Sequence, residues 1–466
     1  MQHVPAEIIN EIFKHLIIDK LVVLNPREFP WYVGQICASW RAEFTSTPWI
    51  WRKFIIADAR PITEHGLEKA ARLVKLCIQR SRNQPISFTF LFCGKYLRPK
   101  GRQYVNQMLS DLIIESQRWE VVDVEAELLS LKTFCLPNLS NQFPLLRSMA
   151  LRIYGIHWDE PKCWESFLCA HSLTRVELDE LPRYDFDWSR LTVLTLQHET
   201  GAPDILRVMR RLRCIEKLQF TVNKYSSLGT AEDGMIALPT LKVLSCPGDV
   251  LRHLRAPALE ELRIVSFLMD IRPSLLPDGA ISFLRTSSGS LTKLILGQGC
   301  CIDSDAKRIL QELPNVTKLC LDADLDLSDI LPYNLEKGIQ ILPKLELLIA
   351  DGYSYRSRIE WRQRDAVLTL WATVASRTSN PGLFEWPYRA GKLRELRMIR
   401  QIGYDEYHDT TTHLILSHLC EERKVKYLAF EQSQKVGHIW CSEAENCAFD
   451  LCNHNSAFYL QTESLV

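Results

Sequence analysis

Leu291-Thr292-Lys293-Leu294-Ile295-Leu296 and, 25 residues further on, Val316-Thr317-Lys318-Leu319-Cys320-Leu321 repeat one apolar spacing. Two residues separate the first apolar position from the second, and one separates the second from the third. Working outward, the same spacing occurs upstream at Trp119/Val122/Val124, Leu131/Phe134/Leu136, Leu146/Met149/Leu151, Leu173/Val176/Leu178 and Leu191/Leu194/Leu196. It continues through Ile215/Leu218/Phe220, Leu241/Leu244/Cys246 and Leu259/Leu262/Ile264, and reappears at Leu345/Leu348/Ala350, Leu393/Leu396/Met398 and Val425/Leu428/Phe430. Alternation at the second and third positions is the signature of a short strand with one buried face. No single copy can bury its leucines alone, so the stable unit is a stack of copies.

The mean interval is roughly 25 residues, inside the range of leucine-rich repeats. The predicted fold is therefore α/β: a leucine-rich-repeat solenoid over 119–436, with parallel strands on the concave face and helices and loops outside. Residues 437–466 are expected to cap it. The intervals are irregular, and the Asn usual just beyond such strands is absent from most copies, so the turns must be hydrogen-bonded differently. Strand side chains alternate, so the residues flanking each central apolar position face the concave side. They include Arg175/Glu177, Val193/Thr195, Lys217/Gln219, Val243/Ser245, Glu261/Arg263, Lys293/Ile295, Lys318/Cys320, Leu347/Ile349 and Glu395/Arg397. Charges of both signs broken by aliphatics suit a protein partner better than a polyanion. The candidate contacts are Arg175, Glu177, Lys217, Glu261, Arg263, Lys293, Lys318, Glu395 and Arg397. Tyr353 and Tyr355 join them from the long interval between Leu345 and Leu393, because insertions in repeat arrays map to loops that carry function.

Upstream of the array the pattern is helical. Ile8, Ile9, Ile12, Phe13 and Leu16 recur at helical spacing, with Pro5 and Glu7 suited to the first turn. Pro26 and Pro30 interrupt, a second apolar pattern runs through Trp31, Val33, Ile36, Cys37 and Trp40, and Thr47-Pro48 precedes Trp49 and Trp51. Tryptophans this dense must bury one another or a partner. Residues 56–118 read as linker helices (67–80 and about Val105–Ile113) around a first strand, Ile86-Ser87-Phe88-Thr89-Phe90-Leu91-Phe92.

Val4-Pro5-x-Glu7-Ile8-Ile9-x-x-Ile12-Phe13-x-x-Leu16, Ile36-Cys37-x-x-Trp40-Arg41 and Ser46-Thr47-Pro48-x-x-Trp51 together resemble the F-box, in the form common in mushroom-forming fungi, where it precedes irregular leucine-rich repeats. The resemblance implies a small all-α F-box helical bundle over 1–55. It implies docking onto a Skp-type adaptor and through it onto a cullin–RING ubiquitin ligase, with the repeats holding a protein substrate. By matching positions, the adaptor-facing residues would be Val4, Pro5, Ile8, Ile9, Ile12, Val33, Ile36, Cys37, Trp40 and Trp51. Position 4 is Val where the family usually has Leu, and 17–32 is long for the inter-helix loop. The alternative is a repeat scaffold or receptor whose F-box has degenerated.

Other functions find less support. Lys plus Arg and Asp plus Glu both number 56 in 466 residues, whereas duplex binding draws its affinity from a basic excess. Neither nucleic acid nor a membrane is an expected partner, since no stretch approaches the ~20 apolar residues of a span. No segment reads as a secretory signal, and the 15 cysteines lie mostly in apolar runs such as those around Cys37, Cys77, Cys135, Cys246 and Cys320. Reduced cysteines packed as small hydrophobes suit the cytoplasm or nucleus. Gly297-Gln298-Gly299 lacks the remainder of a phosphate loop, and His408 and His413 lack the glutamate of a metalloprotease helix. His438, Cys441, Cys447, Cys452 and His454 are zinc-compatible types without paired-cysteine spacing. No catalytic residue, metal or cofactor is expected.

Overall fold

The structure is a computed structural model. It describes residues 4–16, 21–22, 31–57, 63–92, 98–127, 143–154, 170–179, 181, 187–200, 202–222, 234–265, 278–297, 300, 303–322, 341–351, 395–402 and 426–433. The chain divides into two units, Met1–Thr200 with Asp204–Ile215, and Gly201–Pro203 with Glu216–Val466. Each is α/β and is built on parallel strands.

The first unit contains α1 (Ala6–Leu16), β1 (Leu21–Val22), α2 (Ala38–Ser46), β2 (Lys53–Ala57), α3 (Glu64–Ser81), β3 (Ile86–Phe92), α4 (Pro99–Ile114), β4 (Trp119–Glu127), β5 (Ser148–Tyr154), β6 (Arg175–Leu178) and β7 (Val193–Thr200). The strands lie side by side in chain order, β1 to β7. Register sets Phe54 opposite Phe88, Phe88 opposite Val122, Val122 opposite Met149, Met149 opposite Val176, and Val176 opposite Leu194. The central apolar position of each copy therefore stacks on that of the next, and all of these side chains are buried.

α5 (Ala202–Met209) lies at the division between the units. The second unit contains β8 (Lys217–Val222), β9 (Ile236–Ala237), β10 (Val243–Pro247), β11 (Leu254–Arg255), β12 (Glu261–Val265), α6 (Asp278–Ser287), β13 (Lys293–Leu296), α7 (Asp303–Gln311), β14 (Lys318–Asp322), β15 (Leu347–Asp351), β16 (Glu395–Ile402) and β17 (Lys426–Ser433). The order is β8-β10-β12-β13-β14-β15-β16-β17, with β9 and β11 paired separately. Leu218, Leu244, Leu262, Leu294, Leu319, Leu348 and Leu396 occupy one row.

What joins the copies is a backbone ladder just before each strand. Thr292 N donates to Glu260 O at 3.0 Å, Thr317 N to Thr292 O at 2.8 Å, and Glu346 N to Thr317 O at 2.8 Å. The Thr292 and Thr317 hydroxyls reach the same carbonyls at 3.3 Å, and Ser290 Oγ donates to Pro257 O at 2.8 Å. Hydroxyl side chains on the entry side of the strands thus stitch neighbouring copies together.

The structure bears on several of these expectations. The N-terminal helices are accompanied by strands: Leu21-Val22 pairs with Phe54-Ile55, and the chain runs from the tryptophan-rich turn straight into β2. The ladder begins before Trp119: Trp51/Phe54/Ile56 is itself a copy, and β3 is the next rung. β4 pairs directly with β5, while the expected copy Leu131/Phe134/Leu136 lies outside the described residues. In β17, Tyr427 and Ala429, rather than Leu428 and Phe430, stand opposite Leu396 and Met398. That final copy is offset by one residue, which exchanges the two faces of a strand. The cap 437–466, with its His/Cys group, lies outside the described residues.

Candidate partner-docking surfaces

α1 is apolar on two sides. Its start is set by Pro5, whose carbonyl accepts from Ile8 N and Ile9 N at 3.1 and 3.2 Å. Ile9 and Phe13, one turn apart, turn inward, and Phe13 meets the rings of Trp40 and Phe44 edge-on at 5.4 and 6.1 Å. A polar brace fixes α1 against α2: Asn10 Nδ2 donates to Glu43 Oε1, and Thr47 Oγ1 donates to Asn10 Oδ1 at 3.2 Å. With the inner side satisfied, the rest of the apolar surface is left outside. Val4, Ile8 and Leu16 are exposed at intervals of four or eight residues, Ile8 at 53%, and Ile12 is half-buried between them. Tyr32 and Ile36, the latter 58% exposed, add to it from the segment before α2.

The expected adaptor-facing set splits. Val4, Pro5, Ile8, Ile36 and Cys37 are exposed, and Ile12 and Trp40 are half-buried. Ile9 (2% exposed), Val33 (1%) and Trp51 (0%) are buried in the core of the chain itself. Trp51 fills the space between the Trp31 and Phe44 rings, its Nε1 donates to Phe44 O at 3.0 Å, and Arg80 covers its face. Cys37, expected to pack as a small hydrophobe, lies on the surface. Leu16 and Tyr32 were missed as surface residues. Leu16 had already declared itself by its place in the helical stripe.

The other candidate surfaces are the sheet faces opposite the buried central rows, taken separately in each unit. In the first unit Arg175 is exposed and Glu177 half-buried; in the second Lys318 is exposed and Lys217, Glu261, Arg263 and Lys293 are half-buried. Lys293 Nζ and Glu261 Oε2 pair at 2.8 Å across β13 and β12. Glu395 and Arg397 stand in register with Leu347 and Ile349, whereas Tyr353 and Tyr355 lie outside the described residues. The expected mosaic is not open throughout, because Ile295, Cys320, Leu347 and Ile349 form a buried apolar cluster on this face.

In the first unit the face of Arg175 and Glu177 carries a charge cluster that reading pairs only from Arg175 onward overlooked. Arg152 on β5 donates through Nε to Glu177 at 3.1 Å and through Nη1 to Glu125 at 3.1 Å, and its Nη2 lies 3.3 Å from Asp123. Burial opposes the charge on Arg152, yet Asp123, Glu177 and Glu125 outweigh it and bind its proton more firmly than usual. The signal was available, since these residues flank Val124, Leu151 and Val176 in the repeat spacing.

Among the described residues no group of three or more His, Cys, Asp or Glu side chains could hold a metal ion, and no helix is long and apolar enough to cross a membrane. No protein-family model matches the chain, and no curated protein matches it significantly.

Proposed function

We propose that this chain is the substrate-recognition subunit of a Skp–cullin–F-box ubiquitin ligase. On this reading the N-terminal module docks the Skp-type adaptor and a leucine-rich-repeat solenoid captures a protein substrate in the cytoplasm or nucleus. The observation that carries it is the location of exposed apolar surface. Of the eight large exposed hydrophobic residues among the described residues, five (Val4, Ile8, Leu16, Tyr32 and Ile36) fall within the first 36 positions. The remaining three, Ile114, Leu145 and Met235, are scattered, and single exposed hydrophobes need no explanation. Apolar side chains gathered in one short module whose own core is already filled suit a partner's interface core.

The mechanism is proximity. The adaptor fixes the chain in the ligase, the sheet face holds the target, and a target lysine is kept near a ubiquitin-loaded enzyme. The chain itself performs no chemical step.

The test is co-purification of the full chain with its host's Skp-type adaptor, beside an Ile8→Asp/Ile36→Asp variant. Both positions are exposed, so the variant keeps the fold while charging the surface. Capture by the parent and loss in the variant, with an unchanged melting curve, is the expected result. An intact, folded chain that captures no adaptor would instead make the module a cap on a repeat scaffold.

A further inference from the structure

Register gathers cations on one face of the second unit. Lys217, Val243, Glu261, Lys293 and Lys318 make one row across β8, β10, β12, β13 and β14, and Gln219, Ser245, Arg263, Ile295 and Cys320 make the next. Four cations thus share these rows with a single anion, Glu261, which is already held by Lys293. Lys217, Arg263 and Lys318 make no ion pair among the described residues. The excess is not a general property of the repeat, because around Arg152 in the first unit anions outnumber cations.

Arg263 supplies a second, independent observation. Its Nε is buried and has no hydrogen-bond partner among the described residues. A guanidinium N–H withdrawn from water without an acceptor is unfavourable until one arrives, and the fork it forms with the neighbouring Nη matches the two oxygens of a carboxylate. From β8 to β14 is four strand steps, roughly 19 Å, the reach of about six extended residues. Val243 and the buried Ile295 and Cys320 interrupt and border the cations. The site is therefore a short strip, not the broad basic track that a nucleic acid needs.

We propose that this face captures an extended acidic peptide segment, with one carboxylate on the Arg263 fork and further acidic side chains over Lys217 and Lys318. This names the class of target for the capture surface and rests on that reading of the sheet face.

The test uses the full chain and a fluorescein-labelled decaglutamate peptide, with binding followed by anisotropy at physiological salt. Saturable binding is expected for the parent chain. Lys217→Glu/Lys318→Glu should weaken it more than about tenfold, and Arg263→Lys, which keeps the charge and loses the fork, by about threefold or more. Lys69→Glu/Arg213→Glu makes the same change in net charge at exposed sites outside these two rows and should leave affinity within about twofold. Equal losses in both charge-swapped pairs would overturn the proposal by showing attraction to charge anywhere on the chain. Absence of binding by the parent, or tighter binding of a single-stranded oligonucleotide, would overturn it as well. Adaptor co-purification run on the same variants keeps the outcomes distinct. Peptide binding that fails beside intact adaptor capture removes only this proposal, whereas failed adaptor capture beside intact peptide binding removes only the ligase reading.

Discussion

The Arg80 guanidinium lies 4.5 Å from the centre of the Trp51 indole. Trp51 belongs to the tryptophan-rich turn that follows α2, and Arg80 belongs to the last turn of α3, so this contact ties the N-terminal helices to the helix that leads into β3. Trp51 is also the first residue of the earliest copy of the repeat, Trp51/Phe54/Ile56. Losing this fully buried ring should remove about 3–5 kcal/mol from the stability of the first unit, and Arg80→Ala a smaller part, about 0.5–2 kcal/mol. Denaturant unfolding followed by tryptophan fluorescence measures both. Loss of adaptor capture in Trp51→Ala would then report unfolding and not a deleted contact, which is why Ile8 and Ile36 are the informative positions.

Burial also sets a pH dependence. It pushes the Cys77 thiol up to about 12 from an ordinary 9.0, with Arg80 pulling weakly the other way, and it raises Cys246 as well. A thiol whose folded pKa is raised contributes its full stability below the unfolded value and loses it as the pH climbs toward the folded one. The fold should therefore weaken between about pH 9 and 12, by about 1.4 kcal/mol per pH unit for each such thiol. Unfolding curves across this range should be less steep in pH for Cys77→Ala than for the parent. A thiol reagent applied to the native chain should modify the exposed Cys37 and Cys214 well before Cys77 and Cys246.

The leucine rows were legible because the copies keep both intervals of the motif, and the packing of parallel strands converts that spacing directly into register. The first rungs were hidden for a chemical reason. Trp51 and Phe54 carry the first two positions of the spacing as aromatic residues in the turn that Pro48 opens, and Pro85 stands where β3 should have its first apolar residue. Which side of α1 faces out was not legible either. Ile8 and Ile9 are the same residue type in adjacent positions, and only the Trp40 and Phe44 rings beside Phe13 decide that Ile9 goes in and Ile8 stays out. The apolar cluster of Ile295, Cys320, Leu347 and Ile349 escaped because alternation assigns a face but not what covers it.

Gly279 gives a test of packing in the second unit. A Cβ there would lie 2.4 Å from Arg252 Cβ and 3.1 Å from Arg252 Cα, in the turn Gly248–His253 against which α6 rests. The near atoms belong to the backbone and the rigid base of a side chain, so Gly279→Ala must push α6 outward. A loss of about 1–3 kcal/mol is expected despite alanine's better helix propensity. Gly289→Ala meets nothing within 4 Å and serves as the control. A thermal melt that shows both variants unchanged would mean that the α6 contact yields freely.

Arg152 is the last test, and it separates charge from shape. Its guanidinium is only 19% exposed and is shared by carboxylates from β4 and β6, so it neutralises three acids that register brings onto adjacent strands. Arg152→Met keeps much of the apolar stem but leaves Asp123, Glu125 and Glu177 facing one another. The cost should be about 2 kcal/mol, below that of a fully buried pair because the carboxylates remain partly in water. Adding Glu177→Gln should recover part of the loss by removing one of the repelling charges. A deficit in Arg152→Met that Glu177→Gln leaves unchanged would assign the role of Arg152 to packing alone.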